Sequence, residues 1–231
     1  MRNFTDITFI LDRSGSMDSL QSDVIGGFRA FVEEQQRLGD NAALTLVQFD
    51  HEYAINFSNV PIKDVSSTIE FIPRGATALL DAIGRTIVDT GIRLSQTPEA
   101  DRPNKVLMIV MTDGHENASI EFTGAKIREM VEHQKTVYQW EFVFLGANID
   151  SFGTASSLGV SSFSVSNYDA SSHGTKSALR GVSTYTASLR SSAGGGSAVS
   201  MAEAYAKSMD AIKRETAGSG GQAPPPNGGA A

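Results

Sequence analysis

Short, nearly continuous apolar runs alternate with stretches of helical periodicity along this chain, and that alternation restricts it to a layered α/β architecture. Ile7 to Leu11 is apolar apart from Thr8, as a strand covered on both faces requires. Leu20, Val24, Phe28, Phe31 and Val32 then recur at helical spacing, and Ala43 to Phe49 is a second strand. Tyr53, Ile55 and Phe57 alternate after the short Asp50-His51-Glu52 link, which predicts a hairpin and an antiparallel edge strand.

A long helix is expected from Thr77 to Leu94, with Leu80, Ile83, Ile87 and Val88 on its buried stripe. Val106 to Met111 is the most apolar run and is expected at the sheet centre. Ile127, Met130 and Val131 mark another helix, Phe142 to Leu145 another strand, and Trp140 reads as core. Ser151 to Leu158 is a short helix closed by Gly159, Phe163 to Val165 a last strand, and Thr175, Leu179 and Val182 the start of a final helix. The predicted order is β-α-β-β-α-β-α-β-α-β-α. The fold class is therefore α/β, Rossmann-like: an open, mostly parallel six-stranded sheet with one antiparallel edge strand and helices on both faces.

The character changes after Arg190. Residues 1–190 read as one domain, and residues 191–216 as a linker around Gly194-Gly195-Gly196 plus a short amphipathic helix marked by Met201, Tyr205, Met209 and Ile212. Residues 217–231 contain only Gly, Ala, Pro and polar residues, with no core former, and read as a disordered tail.

Composition narrows the function classes. A net charge of −7 argues against general nucleic-acid binding, which needs clustered Lys and Arg. With no cysteine, disulfides, thiolate zinc sites and cysteine nucleophiles are excluded. No signal-peptide pattern precedes the first strand and no run of 18 apolar residues occurs, so a cytoplasmic, non-membrane monomer is the expectation. The histidines at 51, 115, 133 and 173 have no zinc spacing, and phosphate-binding, dinucleotide-binding and nucleophile-elbow motifs are missing, so no catalytic apparatus is evident.

Ligands of open α/β sheets sit at the carboxyl ends of the strands. The first strand ends in Asp12-Arg13-Ser14-Gly15-Ser16, the central one in Thr112-Asp113-Gly114, and Arg74-Gly75-Ala76-Thr77 leads into the long helix. Two carboxylates and three hydroxyls, from Asp12, Ser14, Ser16, Thr77 and Asp113, thus meet at one edge. An all-oxygen set with two negative charges suits a hard divalent cation, Mg2+ ahead of Mn2+ or Ca2+.

Neighbouring polar residues have plainer readings. Asp50 reads as a turn former ahead of a residue supporting the metal ligands, Asp81 as either a loop-orienting or a solvated, helix-stabilising residue, His115-Glu116 as a polar loop face ahead of a ligand contact, and Arg74 as a loop or partner contact. Gly26-Gly27 reads as close helix–sheet packing, and Asp18 with Gln21 as a cap for the first helix.

Asp12-Arg13-Ser14-Gly15-Ser16-Met17, with Thr77 and Thr112-Asp113-Gly114, resembles the metal-ion-dependent adhesion site of von Willebrand factor A domains, over about residues 4 to 190. Pro73 to Ala82 and Thr112 to Asn117 resemble a bacterial and phage subgroup. The resemblance implies that Ser14 and Ser16 bind the metal directly. Thr77, Asp12 and Asp113 bind it directly or through water, and one coordination position stays open for an acidic side chain of a partner protein. It also implies that the last core helix can shift on ligand binding. The alternative is a Mg2+-dependent phosphoester hydrolase of the haloacid-dehalogenase type, but the second Asp such enzymes carry two residues after the first is Ser14 here. A third reading is a scaffold whose C-terminal segment does the recognition.

Overall fold

The computed structural model describes residues 3–147, 150–160, 164–191, 203, 204 and 207. Six strands form one sheet: β1 (Thr5–Asp12), β2 (Ala42–Phe49), β3 (Tyr53–Pro61), β4 (Lys105–Thr112), β5 (Glu141–Ala147) and β6 (Val165–Tyr168). Their spatial order is β3-β2-β1-β4-β5-β6. Every neighbouring pair is parallel except β2 with β3, the antiparallel hairpin at the edge. The helices are α1 (Gln21–Arg37), α2 (Leu79–Gln96), α3 (Gly124–Tyr138), α4 (Ser151–Ser157) and α5 (Ser172–Ser191).

The period-two alternation of β1 divides the core. Ile7, Phe9 and Leu11 point to the face covered by α1 and α5, while Ile10 points to the face covered by α2, α3 and α4. On the first face Phe9 meets Phe28 and Phe31 edge-on, with ring centroids 5.7 and 5.6 Å apart. Trp140 is buried in the second core beside Phe142.

Several boundaries differ from the sequence expectation. A 3-10 turn over Gly15–Leu20 separates β1 from α1, and no side chain caps α1; the Gln21 amide instead reaches across to the Phe71 carbonyl at 2.6 Å. Helix α2 starts at Leu79, not Thr77, because both backbone groups of Thr77 are taken by Asn117. Its buried stripe is Leu79, Ile83 and Ile87; Leu80 is half-buried and Val88 faces solvent. Strand β6 continues past the expected end at Val165 to Tyr168, with Val165 buried on one face and Tyr168 on the other; the expected start at Phe163 lies outside the described residues. Gly27 serves helix–helix rather than helix–sheet packing: a Cβ there would overlap Leu179 of α5, whereas one on Gly26 meets nothing within 4 Å.

The edge at the amino ends of the parallel strands is tied to the end of α5. Lys105 Nζ donates to the Leu189 carbonyl at 2.6 Å, and the buried Arg190 donates to the carbonyls of Gln35 and Gly39 at 2.6 and 2.7 Å. Among the described residues no helix is long and apolar enough to cross a membrane. The expected linker at Gly194–Gly196, the tail, and Met201, Tyr205, Met209 and Ile212 lie outside the described residues; Ala204, within that region, is fully buried against the α1–α5 core.

Candidate metal centre

The carboxyl ends of β1 and β4 and the approach to α2 bring the five candidate residues together. Asp12 is the last residue of β1, wholly buried, and Asp113 follows β4. Ser14 and Thr77 are each 2% exposed, while Ser16 faces solvent, so the cluster opens outward on one side. Ser16 Oγ donates to Asp113 Oδ1 at 2.6 Å, and the Ser14 and Ser16 hydroxyls lie 3.1 Å apart. The Ser14 N–H and the Thr112 hydroxyl donate to the two oxygens of Asp12 at 2.7 and 2.5 Å.

Gly114 shows where the hydroxyls converge. A Cβ built on it would lie 2.9 Å from Thr77 Oγ1, 3.5 Å from Ser16 Oγ and 3.6 Å from Ser14 Oγ. Three hydroxyl oxygens thus face one point beside a residue without a side chain, and Asp113 is hydrogen-bonded into the same cluster. This donor set fits a small hard cation: neutral oxygens supply ligands and the two carboxylates supply charge. Among the described residues no three His, Asp or Glu side chains gather for metal binding, so a centre here depends on the hydroxyls.

Electrostatics favour the same reading. Burial, outweighing the hydrogen bonds from Thr112 and Ser14, pushes the Asp12 carboxyl up to about 6, with the nearby Asp113 charge adding a smaller push. Burial also raises Asp113, against the Ser16 hydrogen bond. Among the described residues neither of these two carboxylates, held close and partly desolvated, has an ion-pair partner.

The surrounding residues do work that their sequence context did not reveal. Asn117 Oδ1 accepts from the Thr77 N–H at 2.9 Å, and the Asn117 N–H donates to the Thr77 carbonyl at 3.0 Å. The Glu116 carboxylate is not an idle polar face: it accepts from the backbone N–H groups of Leu80, Ala118 and Ser119 at 2.9, 2.9 and 2.7 Å. His115 is exposed. Asp81 is buried and orients the loop, accepting from the N–H groups of Ile120, Glu121 and Phe122, each at 2.9 Å. Burial works against the Asp81 charge, but these three donors hold its carboxyl below the usual range. Arg74 contacts its own chain, donating to Asp50 and Glu52.

Asp50 is more than a turn former. Its Oδ1 accepts from the Glu52 N–H, as a turn residue does, but its Oδ2 accepts from Arg13 Nε and Arg74 Nε, both at 2.9 Å. Its side chain is fully buried, which alone would raise its pKa; the Glu52 N–H and the two guanidinium groups outweigh that and hold the carboxyl low. The only sequence signal for Asp50, Asn117 and Glu116 was their place at the same strand ends as the ligand set.

Comparison with known proteins places these observations in a family. Proximal thread matrix protein 1 from the mussel byssus, in a structure with a zinc-occupied metal-ion-dependent adhesion site, superposes with a TM-score of 0.55 at 17% identity, over 80% of this chain and 46% of that one. Manganese-loaded TRAP protein of Plasmodium vivax gives 0.54 at 16% identity, over 73% and 69%. The PilB minor pilin of Streptococcus sanguinis gives 0.55 at 12% identity, over 80% and 61%. This chain spans less than half the length of the mussel protein, and at these identities the likeness is one of fold. No curated protein matches it. The von Willebrand factor type A domain profile matches residues 6–169, most of the chain, and the protein belongs to the von Willebrand factor type A domain family.

Proposed function

We propose that this protein is a divalent-metal-dependent protein-binding module. Asp12, Ser14, Ser16, Thr77 and Asp113 hold Mg2+, with Mn2+ or Ca2+ as possible replacements, and leave a coordination position to an acidic side chain of a partner protein. The observation that carries this reading is the convergence of three hydroxyls beside Gly114 with the Asp113 carboxylate hydrogen-bonded into the cluster. The zinc-occupied site of the mussel protein and the manganese-loaded TRAP protein support a divalent ion in this fold.

The charge balance admits a carboxylate ligand. Two carboxylates neutralise the ion, and the remaining ligands are neutral, so an incoming anion meets no surplus negative charge in the first coordination layer. Exposure at Ser16 gives it a way in. We read the role as recognition rather than turnover because the position two residues after Asp12, where a phosphoester hydrolase of the haloacid-dehalogenase type carries its second Asp, is Ser14.

Calorimetric titration with Mg2+ and Mn2+, paired with capture of partners on the immobilised chain with and without EDTA, tests the proposal. Metal binding in the wild type, lost in Asp12→Ala, and capture lost under both treatments are expected. Capture that survives EDTA and Asp12→Ala would overturn it.

A further inference from the structure

The β2–β3 turn lies outside the ligand set but is fastened to both of the loops that would carry it. The backbone is laced in sequence: the Arg13 N–H donates to the Phe49 carbonyl at 2.7 Å, the Arg74 N–H to the Arg13 carbonyl at 2.8 Å, the Gly15 N–H to the Gly75 carbonyl at 3.2 Å, and the Ala78 N–H to the Asp50 carbonyl at 2.8 Å. At the centre of this lacing sits the Asp50 carboxylate. Arg13 belongs to the Asp12–Ser16 loop and Arg74 to the loop that ends in Thr77, and both guanidinium groups close on the same oxygen. The other oxygen accepts from the Glu52 N–H at 2.6 Å, and His51 Nδ1 lies 3.2 Å from it. Gly75 closes the arrangement: its φ is +70°, and a Cβ there would overlap the His51 ring.

We infer that Asp50 is a positioning residue for the metal centre: one buried carboxylate, shared by Arg13 and Arg74, sets the separation of the Ser14–Ser16 hydroxyls from the Thr77 hydroxyl. Its oxygens are both committed to donors, so it is not a ligand. It acts on ligand geometry by holding two loops at a fixed distance, and a buried charge does this better than a neutral acceptor because each bond to it is charge-assisted. Mg2+ is the ion most sensitive to that distance, since it requires near-ideal octahedral geometry, whereas Ca2+ accepts variable geometry and longer contacts. Loosening the two loops therefore weakens Mg2+ more than Ca2+. A residue that only stabilised the fold would leave both affinities unchanged in the folded protein.

The inference rests on the metal-binding reading above, and the experiment separates the two. Full-length Asp50→Asn is titrated calorimetrically with Mg2+ and with Ca2+ beside the wild type and Asp12→Ala, and each protein's thermal unfolding is followed in EDTA. The expected result is a Mg2+ affinity lowered on the order of tenfold in Asp50→Asn, as for partners that orient ligands elsewhere, with a smaller loss for Ca2+. Should that variant fail to fold, the Arg13→Gln, Arg74→Gln double variant removes the same bridges from partly exposed side chains and is expected to show the same selective loss. Wild-type Mg2+ affinity in the folded variants, alongside its loss in Asp12→Ala, would overturn the role of Asp50 and leave the metal site standing. Equal losses for the two ions would also overturn it. If the wild type itself binds neither ion, both readings fall.

Discussion

Replacing Gly114 with alanine tests the centre by adding one methyl group at the point where the hydroxyls meet. The added Cβ lies 2.9 Å from Thr77 Oγ1, inside the 3.4 Å at which ordinary contact begins, while its distances to Ser16 and Ser14 are acceptable at 3.5 and 3.6 Å. Gly114 does not have a positive φ, so the backbone accepts alanine. Thr77 cannot yield as a whole, because Asn117 fixes its N–H and carbonyl and Asp50 fixes the next N–H. Its hydroxyl must therefore swing away by about half an ångström, more than the roughly 0.2 Å that a metal–ligand distance tolerates. A ligand displaced or lost in this way is expected to cost on the order of 10- to 100-fold in Mg2+ affinity, about 1.4–2.8 kcal/mol. Calorimetric titration reads that loss, and thermal unfolding in EDTA is expected to stay near wild type. Gly26→Ala is the control: its Cβ meets nothing within 4 Å, and it replaces a glycine inside α1, so stability is expected to rise by up to about 1 kcal/mol with metal affinity unchanged. Wild-type Mg2+ affinity in Gly114→Ala would refute the placement of the ion beside Thr77.

Three further outcomes follow from the same geometry. The Asp12 carboxyl, ordinarily at 3.8 and here about 6, favours its protonated form in the fold; that contribution is complete below pH 3.8 and is lost as pH rises through 6, so in EDTA the wild type is expected to lose up to about 3 kcal/mol relative to Asp12→Asn between pH 4 and 7, measured by denaturant titration. Asp81→Ala strands the N–H groups of Ile120, Glu121 and Phe122 and is expected to lower unfolding free energy by about 2–4 kcal/mol in the same assay; a loss under 1 kcal/mol would refute its buried role. Gly27→Ala places a Cβ 3.1 Å from Leu179 Cβ and within overlap of its Cδ1, so it is expected to destabilise by about 1 kcal/mol where its neighbour Gly26→Ala stabilises; equal signs would count against close α1–α5 packing.

The layered fold was legible because both faces of the sheet are covered. Ile7 to Leu11 and Val106 to Met111 have to be apolar on both sides, and such runs separated by helical periodicity admit few topologies. The clustering of Asp12, Ser14, Ser16, Thr77 and Asp113 was legible because they lie in short segments at strand ends, where sequence spacing and spatial position nearly coincide. Boundaries were less legible where tertiary bonds overrode local periodicity. Thr77 looks like a helix start by composition, yet Asn117, 40 residues away, binds both its backbone groups and delays α2 to Leu79. Val88 looked like part of the apolar stripe, but the inward face of α2 is set by Leu79, Ile83 and Ile87, and Val88 falls outside it. Asp50 was legible as a turn former and Asp81 as one of two readings, but the partners of these two and of Glu116 were not. What each does depends on which distant N–H groups arrive around it, and no local pattern encodes that.

The start of α2 shows why those three acids stand where they do. A helix N-terminus carries unpaired N–H groups and a partial positive charge, a poor neighbour for the cation proposed two residues before it at Thr77. Here four of the leading donors are taken from outside the helix: Thr77 N–H by Asn117, Ala78 N–H by the Asp50 carbonyl, Leu80 N–H by the Glu116 carboxylate, and Asp81 N–H by the Ser119 hydroxyl. Two carboxylates, Glu116 and Asp81, thereby lie against the first turn, each offsetting the terminal charge by roughly 0.3–1 kcal/mol. The bonds that cap the helix also bring the loops after β2 and β4 against Thr77. Capping and placement of the proposed ligand are accordingly one set of contacts: the residues that take up the donors at the start of α2 also hold the Thr77 hydroxyl in place.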